Sequence, residues 1–150
     1  MDIKSKEQRS KNMSKIRSKN TKPELFIRSL LHRSNFRFRV SYSKITGTPD
    51  IFFTKKKVAI FVHGCFWHRH KDCRYSYFPK SNTTFWETKF QKNILRDKEI
   101  VKLLTGENIR ILIVWECTVK KMMKDKKFRT EILDVFKDFI NQSVTNYIEI

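Results

Sequence analysis

Acidic side chains, cysteines and long apolar runs are all scarce in this chain, and each shortage narrows what it can be. Fifteen Asp and Glu stand against 33 Lys and Arg, a formal net charge of +18 at pH 7. A field of that size favours a polyanionic partner, nucleic acid ahead of a membrane surface or an acidic protein. Cysteine occurs three times. So small and odd a count argues against a disulfide framework and suits thiolates on a metal in a reducing cytosol. The longest apolar runs, Val58–Val62 and Ile111–Trp115, fall far short of the roughly 20 residues a spanning helix needs, and nothing resembles a signal peptide. With three glycines and three prolines there is no composition for a domain linker, and no internal repeat is visible. The 150 residues therefore read as one domain, long enough for a hydrophobic core.

What is there falls into a clear order. Residues 1–20 hold seven Lys and Arg against Asp2 and Glu7, a basic arm that either orders on phosphates or stays a solvated tail. Residues 21–150 form the domain. Thr21-Lys22-Pro23-Glu24 opens a helix over about 22–34, with Thr as N-cap, Pro in the first turn and Glu at the capping-box position. Phe36 to Tyr42 alternates at period two, which predicts a strand with one basic face. Asp50–Thr54 and Val58–Val62 are joined by Lys55-Lys56-Lys57, too short a link for a crossover, so they form an antiparallel hairpin. That hairpin sets Asp50 opposite Phe61 or Val62. Residues 64–84 lack periodicity and read as a loop. A long helix over about 85–105 carries Phe90, Ile94, Val101 and Leu104 on one stripe. Ile109–Trp115 is a buried strand, and a last helix spans roughly 129–142. The expected fold is mixed α/β, with a central sheet of about four strands flanked by helices.

Five of the seven Cys and His residues lie between His63 and Cys73. Cys65, His70 and Cys73 have the spacing of a structural zinc site, and Cys117, just past the buried strand, is the natural fourth ligand. The alternative is a set of surface imidazoles and buried thiols. His63 and His68 are not needed by zinc and sit where Asp50 falls, which suits general acid–base work. Asp50 begins a strand, where a carboxylate adds nothing to strand stability. As a hard oxygen donor it suits Mg²⁺. Asp97 occupies the apolar stripe of the long helix, with Asn93, Ile94, Ile100 and Val101 as its helical neighbours, so its partner must come from another element. Glu24 serves the helix cap or pairs with Arg28.

Thr48-Pro49-Asp50, Val62-His63-Gly64-Cys65-Phe66-Trp67-His68, His70-x-x-Cys73, Phe85-Trp86, Asn93-x-x-x-Asp97 and Trp115-Glu116-Cys117 together resemble the very short patch repair endonucleases, over roughly residues 10 to 120. The resemblance implies a restriction-endonuclease-like fold of the PD-(D/E)XK superfamily. It also implies nicking of one DNA strand 5′ to the thymine of a T·G mismatch, the product of 5-methylcytosine deamination. On this basis Asp50 and the backbone carbonyl of Val62 bind catalytic Mg²⁺, and His68 is the general base. His63 and Asp97 support it, and Glu24 lies at the site's edge. Cys65, His70, Cys73 and Cys117 hold structural Zn²⁺, while Phe66, Trp67 and Trp86 form an aromatic wedge beside the mismatch. Val62 stands where members of the family commonly have Thr, and the superfamily's second acid and lysine are not visible around Phe61-Val62-His63. The chemistry this implies is therefore histidine-based.

The expected partners are duplex DNA bearing a T·G mismatch and, functionally, a cytosine-5 DNA methyltransferase with a repair polymerase and ligase. The expected setting is the cytoplasm, on the nucleoid, away from membranes. Two other functions fit parts of the chain. A non-catalytic zinc-stabilised DNA-binding module explains the charge, the cysteines and the aromatics but leaves Asp50, His63, His68 and Asp97 without a purpose. A related nuclease cutting matched sites, as restriction enzymes do, is the other, and a comparison of T·G with T·A duplexes decides between them.

Overall fold

The computed structural model describes residues 5–8, 19–141 and 144–150. Within them, helix α1 (Lys22–Arg33) precedes strands β1 (Arg39–Val40), β2 (Ile51–Phe53) and β3 (Val58–His63). Helix α2 (Thr83–Gly106), strand β4 (Arg110–Trp115), helices α3 (Glu116–Lys124) and α4 (Lys126–Asn141) and strand β5 (Tyr147–Glu149) follow. The strands form one mixed sheet in the order β1-β2-β3-β4-β5. The first three are antiparallel, and β3, β4 and β5 are parallel.

Alternation along the strands sorts the core into two layers, because successive side chains leave opposite faces of a sheet. Ile51, Phe53, Val58, Ile60, Leu112 and Val114 face one way, onto Ile27 and Leu31 of α1, Val119 and Met122 of α3 and Phe136 and Ile140 of α4. Phe52, Ala59, Phe61, Ile111, Ile113 and Trp115 face the other way, onto Leu104, Ile100 and Val101 of α2. The sheet is thus covered on both sides, as its near-continuous apolar strands require.

Two sequence expectations change. The sheet has five strands, not about four: the C-terminal residues add β5 beside β4, with the Ile150 amide donating to the Ile113 carbonyl (2.9 Å) and the Trp115 amide to the Ile150 carbonyl (2.8 Å). A three-residue strand is too short for periodicity to reveal, and only its parallel neighbour fixes it. The strand expected over Phe36–Tyr42 contracts to Arg39–Val40. Phe36 and Phe38 instead turn inward, edge-on to Phe53 at 5.8 and 5.7 Å, so packing rather than pairing uses most of that segment. Most of the basic arm at residues 1–20 lies outside the described residues.

The loop between β1 and β2 is fixed against α2 at Gly47. Its φ is +82°, and a Cβ there would lie 2.6 Å from Cγ2 of Ile100. Only glycine accepts both that conformation and that approach, and the contact delivers Asp50 to the end of the sheet where β3 finishes.

Candidate active site and metal centre

Asp50 lies opposite Phe61, one residue beyond the paired Ile51–Ile60. Its Oδ2 accepts a hydrogen bond of 2.7 Å from the Val62 amide, which leaves the other oxygen free for a ligand. Burial, aided by the nearby Glu24 charge, raises the carboxyl to about 6 against the lowering by the Val62 amide, Arg28 and His68. Glu24 is 5 % exposed. The Thr21 hydroxyl caps its helix by accepting from the Glu24 amide, while the Glu24 carboxylate accepts from the Asn20 amide (3.0 Å) and from Arg28 (3.3 Å). Glu24, Asp50, Val62, His63, His68 and Asp97 line one cavity of about 380 Å³. Burial and the neighbouring Glu24 charge disfavour the ionised form of Asp50, and a hard divalent ion bound there would reverse both effects.

Across this cavity, His68 Nδ1 lies 2.6 Å from Asp97 Oδ2. A carboxylate can only accept, so Nδ1 carries a proton and the lone pair of the neutral ring is on Nε2. The His63 ring lies flat on His68, centroids 3.8 Å apart and 4° from parallel. Burial, followed by the His68 charge, lowers His63 to about 3, so it stays neutral and serves as a platform for its neighbour. Asp97 thus finds the partner that its own helix does not supply.

The second cluster lies at the same end of the sheet. Donor atoms of Cys65, His70, Cys73 and Cys117 all lie within 4.8 Å of one another. His70 Nδ1 is 3.5 Å from Cys65 Sγ and 3.4 Å from Cys117 Sγ. For a tetrahedral ion with metal–sulfur and metal–nitrogen bonds of about 2.3 and 2.0 Å, that edge would be about 3.5 Å. The four donors therefore fit a metal ion. Burial drives the Cys65 thiol up to about 12 and raises Cys117 as well, so without a cation these groups hold their protons. Cys117 arrives on the first turn of α3, a helix absent from the sequence reading. His70 is held by stacking on Trp115, at 4.2 Å and 6°.

A separate aromatic group gathers around Phe66. Phe66 packs against Trp67 (5.1 Å), Tyr77 (5.1 Å), Trp86 (5.4 Å) and Phe90 (5.2 Å). Tyr77 and Phe85 are 65 % and 60 % exposed, and the sequence reading assigned neither a role. Asn93, 8 % exposed, donates to the Trp67 carbonyl at 3.0 Å.

Residues 1–75 match the family of the DNA mismatch endonuclease Vsr. The chain is 42 % identical over 118 residues to the type II nicking enzyme V.XorIIP of Xanthomonas oryzae pv. oryzae, covering 79 % of this chain and 86 % of that protein. The chain belongs to the Vsr family. It is 37 % identical over 139 residues to the type II nicking enzyme V.NmeAIP of Neisseria meningitidis, covering 93 % of this chain and 99 % of that protein. To the DNA mismatch endonuclease Vsr of Escherichia coli it is 39 % identical over 119 residues, covering 79 % and 76 %. As a Vsr-family protein the chain is a DNA endonuclease, a hydrolase whose substrate is DNA. Its sheet with helices on both faces agrees with the restriction-endonuclease-like fold that the family implies. Among the described residues no helix is long and apolar enough to cross a membrane.

Proposed function

We propose that this chain nicks one strand of duplex DNA 5′ to the thymine of a T·G mismatch and so starts the repair of deaminated 5-methylcytosine. The observation that carries the reading is the His68–Asp97 pair, 2.6 Å apart, facing Asp50 across one cavity, with Phe66 and Trp67 on the same loop as His68.

Asp50 and the Val62 carbonyl would hold Mg²⁺, with Glu24 at the edge of the site. When bound, the ion supplies positive charge to the phosphate as it takes on a fifth oxygen, and it positions that phosphate. The rest falls to the chain's own side chains. His68 Nε2 accepts a proton from the attacking water, and Asp97 stabilises the imidazolium that results. His63, neutral and stacked, holds the ring in place without competing for the proton. No lysine is needed as base, in keeping with the histidine-based chemistry expected from the sequence.

Cys65, His70, Cys73 and Cys117 would hold Zn²⁺. A closed set of four ligands does no chemistry, but it contributes folding free energy to a loop with no core of its own. Phe66, Trp67 and Trp86 would enter the stack beside the mismatch. Unstacking costs a few kcal/mol per step and is least costly at a mispair, while each base stacked on an aromatic ring returns about 1–3 kcal/mol. The basic arm of residues 1–20 would wrap the duplex. A companion cytosine-5 methyltransferase, with polymerase and ligase to complete repair, follows from the lesion, and the setting is the cytoplasm on nucleoid DNA.

The test is a nicking assay on duplexes that differ only in T·G against T·A. Wild type is expected to nick T·G in Mg²⁺ and to stop in EDTA, and Asp50→Ala to bind the mismatch without cutting it. Normal nicking by that variant would remove the metal assignment. Equal rates on the two duplexes would replace the mismatch reading with that of a matched-site nuclease.

A further inference from the structure

Arg69 lies between the proposed base His68 and the proposed zinc ligand His70, yet neither role accounts for it. Its backbone is left-handed, φ +55°, a conformation that glycine adopts freely and an arginine does not. Something other than local preference keeps an arginine there.

Its side chain supplies the reason. In a chain with so many cations, this guanidinium turns inward onto neutral backbone carbonyls. Nη1 donates to Phe66 O (3.2 Å) and Tyr77 O (3.1 Å), and Nη2 to Ser76 O (3.0 Å). Its plane covers the Phe90 ring, Cζ to centroid 3.9 Å. One side chain thus joins three separate pieces: the turn bearing Phe66 and Trp67, the loop bearing Tyr77, and helix α2. Asn93 holds the next carbonyl, that of Trp67. Both carbonyls of the Phe66-Trp67 dipeptide are therefore tied to groups outside it. A rigid aromatic pair enters a base stack without first losing its own freedom, and order established beforehand is what turns contact into discrimination.

We infer that Arg69 is a positioning residue for mismatch specificity: its fork of carbonyl bonds and its stack on Phe90 preorganise the Phe66-Trp67 wedge. This rests on the wedge reading above. A lysine cannot replace it. The ammonium carries the charge, but it lacks the planar fork that reaches three carbonyls while lying on a ring.

The experiment uses the full chain in EDTA, with T·G and T·A duplexes carrying 2-aminopurine beside the variable pair. Its fluorescence rises when the base unstacks. Wild type is expected to brighten the T·G duplex only, and Trp67→Ala to abolish the rise. Arg69→Gly, which also relieves the backbone, is expected to lose the rise and to lower the T·G over T·A binding ratio by roughly tenfold, the scale of one well-placed contact. Arg69→Lys is expected to restore neither. Zinc content and the melting transition of each variant check that the loop is intact. Recovery in Arg69→Lys would make the residue a plain charge toward phosphate and overturn the inference. So would an Arg69→Gly protein that brightens like wild type. Absence of brightening in wild type, or its persistence in Trp67→Ala, would overturn the wedge reading itself and this inference with it.

Discussion

His63 and His68 are the same residue type five positions apart, and their neighbours give them opposite duties. His68 faces a carboxylate that fixes its tautomer. His63 is buried beneath another imidazole and remains neutral. Asp50 shows how such a site works against the fold. Burial raises its pKa from 3.8 to about 6, so the folded protein binds this proton more tightly than the unfolded chain does. The stability that the protonated form contributes is complete below pH 3.8 and is lost as pH rises through about 6. At pH 8 the ionised carboxylate weighs against folding by about 3 kcal/mol in the metal-free protein. Asp50→Asn, whose amide oxygen still accepts from Val62, is expected to unfold at higher urea than wild type at pH 8 in EDTA. The advantage should vanish near pH 3. His63 titrates in the opposite sense, its folded-state value lowered, so only the difference between variant and wild type isolates Asp50. A variant no more stable than wild type at pH 8 would show that the carboxylate is not under this burden.

At the scale of elements, the loop from Gly64 to Asn82 has turns but no regular structure, yet it carries three of the four proposed metal ligands, the proposed base and Phe66 and Trp67 of the proposed wedge. It is held from both ends. β3 delivers His63 and Cys65, and Cys117 reaches in from the first turn of α3, where the Cys117 amide also donates to Cys65 Sγ at 3.4 Å. A single thiol lost from that cluster leaves an incomplete tetrahedron around thiols that burial keeps protonated. Cys73→Ser is therefore expected to drop the bound zinc from one equivalent to near none and to lower the melting temperature sharply. A soluble, active variant free of zinc would refute the structural role. β5 acts on the same centre from the other side: it spares β4 from being an edge strand and keeps the strand that carries Trp115, the stacking partner of His70, fully paired.

For the whole molecule, charge is distributed as unevenly as it is abundant. Between Glu24 and Asp72 the only acid is Asp50, against ten Lys and Arg. The segment that builds the front of the active site is almost uniformly cationic, with its one carboxylate at the proposed metal position. Such a surface binds duplex DNA chiefly by releasing counterions. Between 50 and 200 mM salt, affinity for a matched duplex is expected to fall by about 10³–10⁵-fold, as for a protein making some 6–10 phosphate contacts. Fluorescence anisotropy with labelled duplex in EDTA measures it. A shallow salt dependence would mean that the cations serve solubility rather than DNA.

Much of this protein was decided locally and could be read from its residues. The capped start of α1, the stripe of α2 and the three-lysine turn that sets Asp50 opposite Phe61 depend on neighbours a few positions away. So do the spacing of Cys65, His70 and Cys73 and the misplaced acid at Asp97, and periodicity and ligand chemistry expose all of these. What tertiary structure alone decided depends on contacts distant in sequence. β5 exists because β4 offers it an edge, and Phe36 and Phe38 leave the expected strand because Phe53 offers them a core. His68, not His63, receives the proton partner because α2 brings Asp97 to one ring and the other ring beneath it. The surroundings of Arg69 are set the same way: three carbonyls from two stretches of one loop and a phenyl ring of α2 meet at its guanidinium.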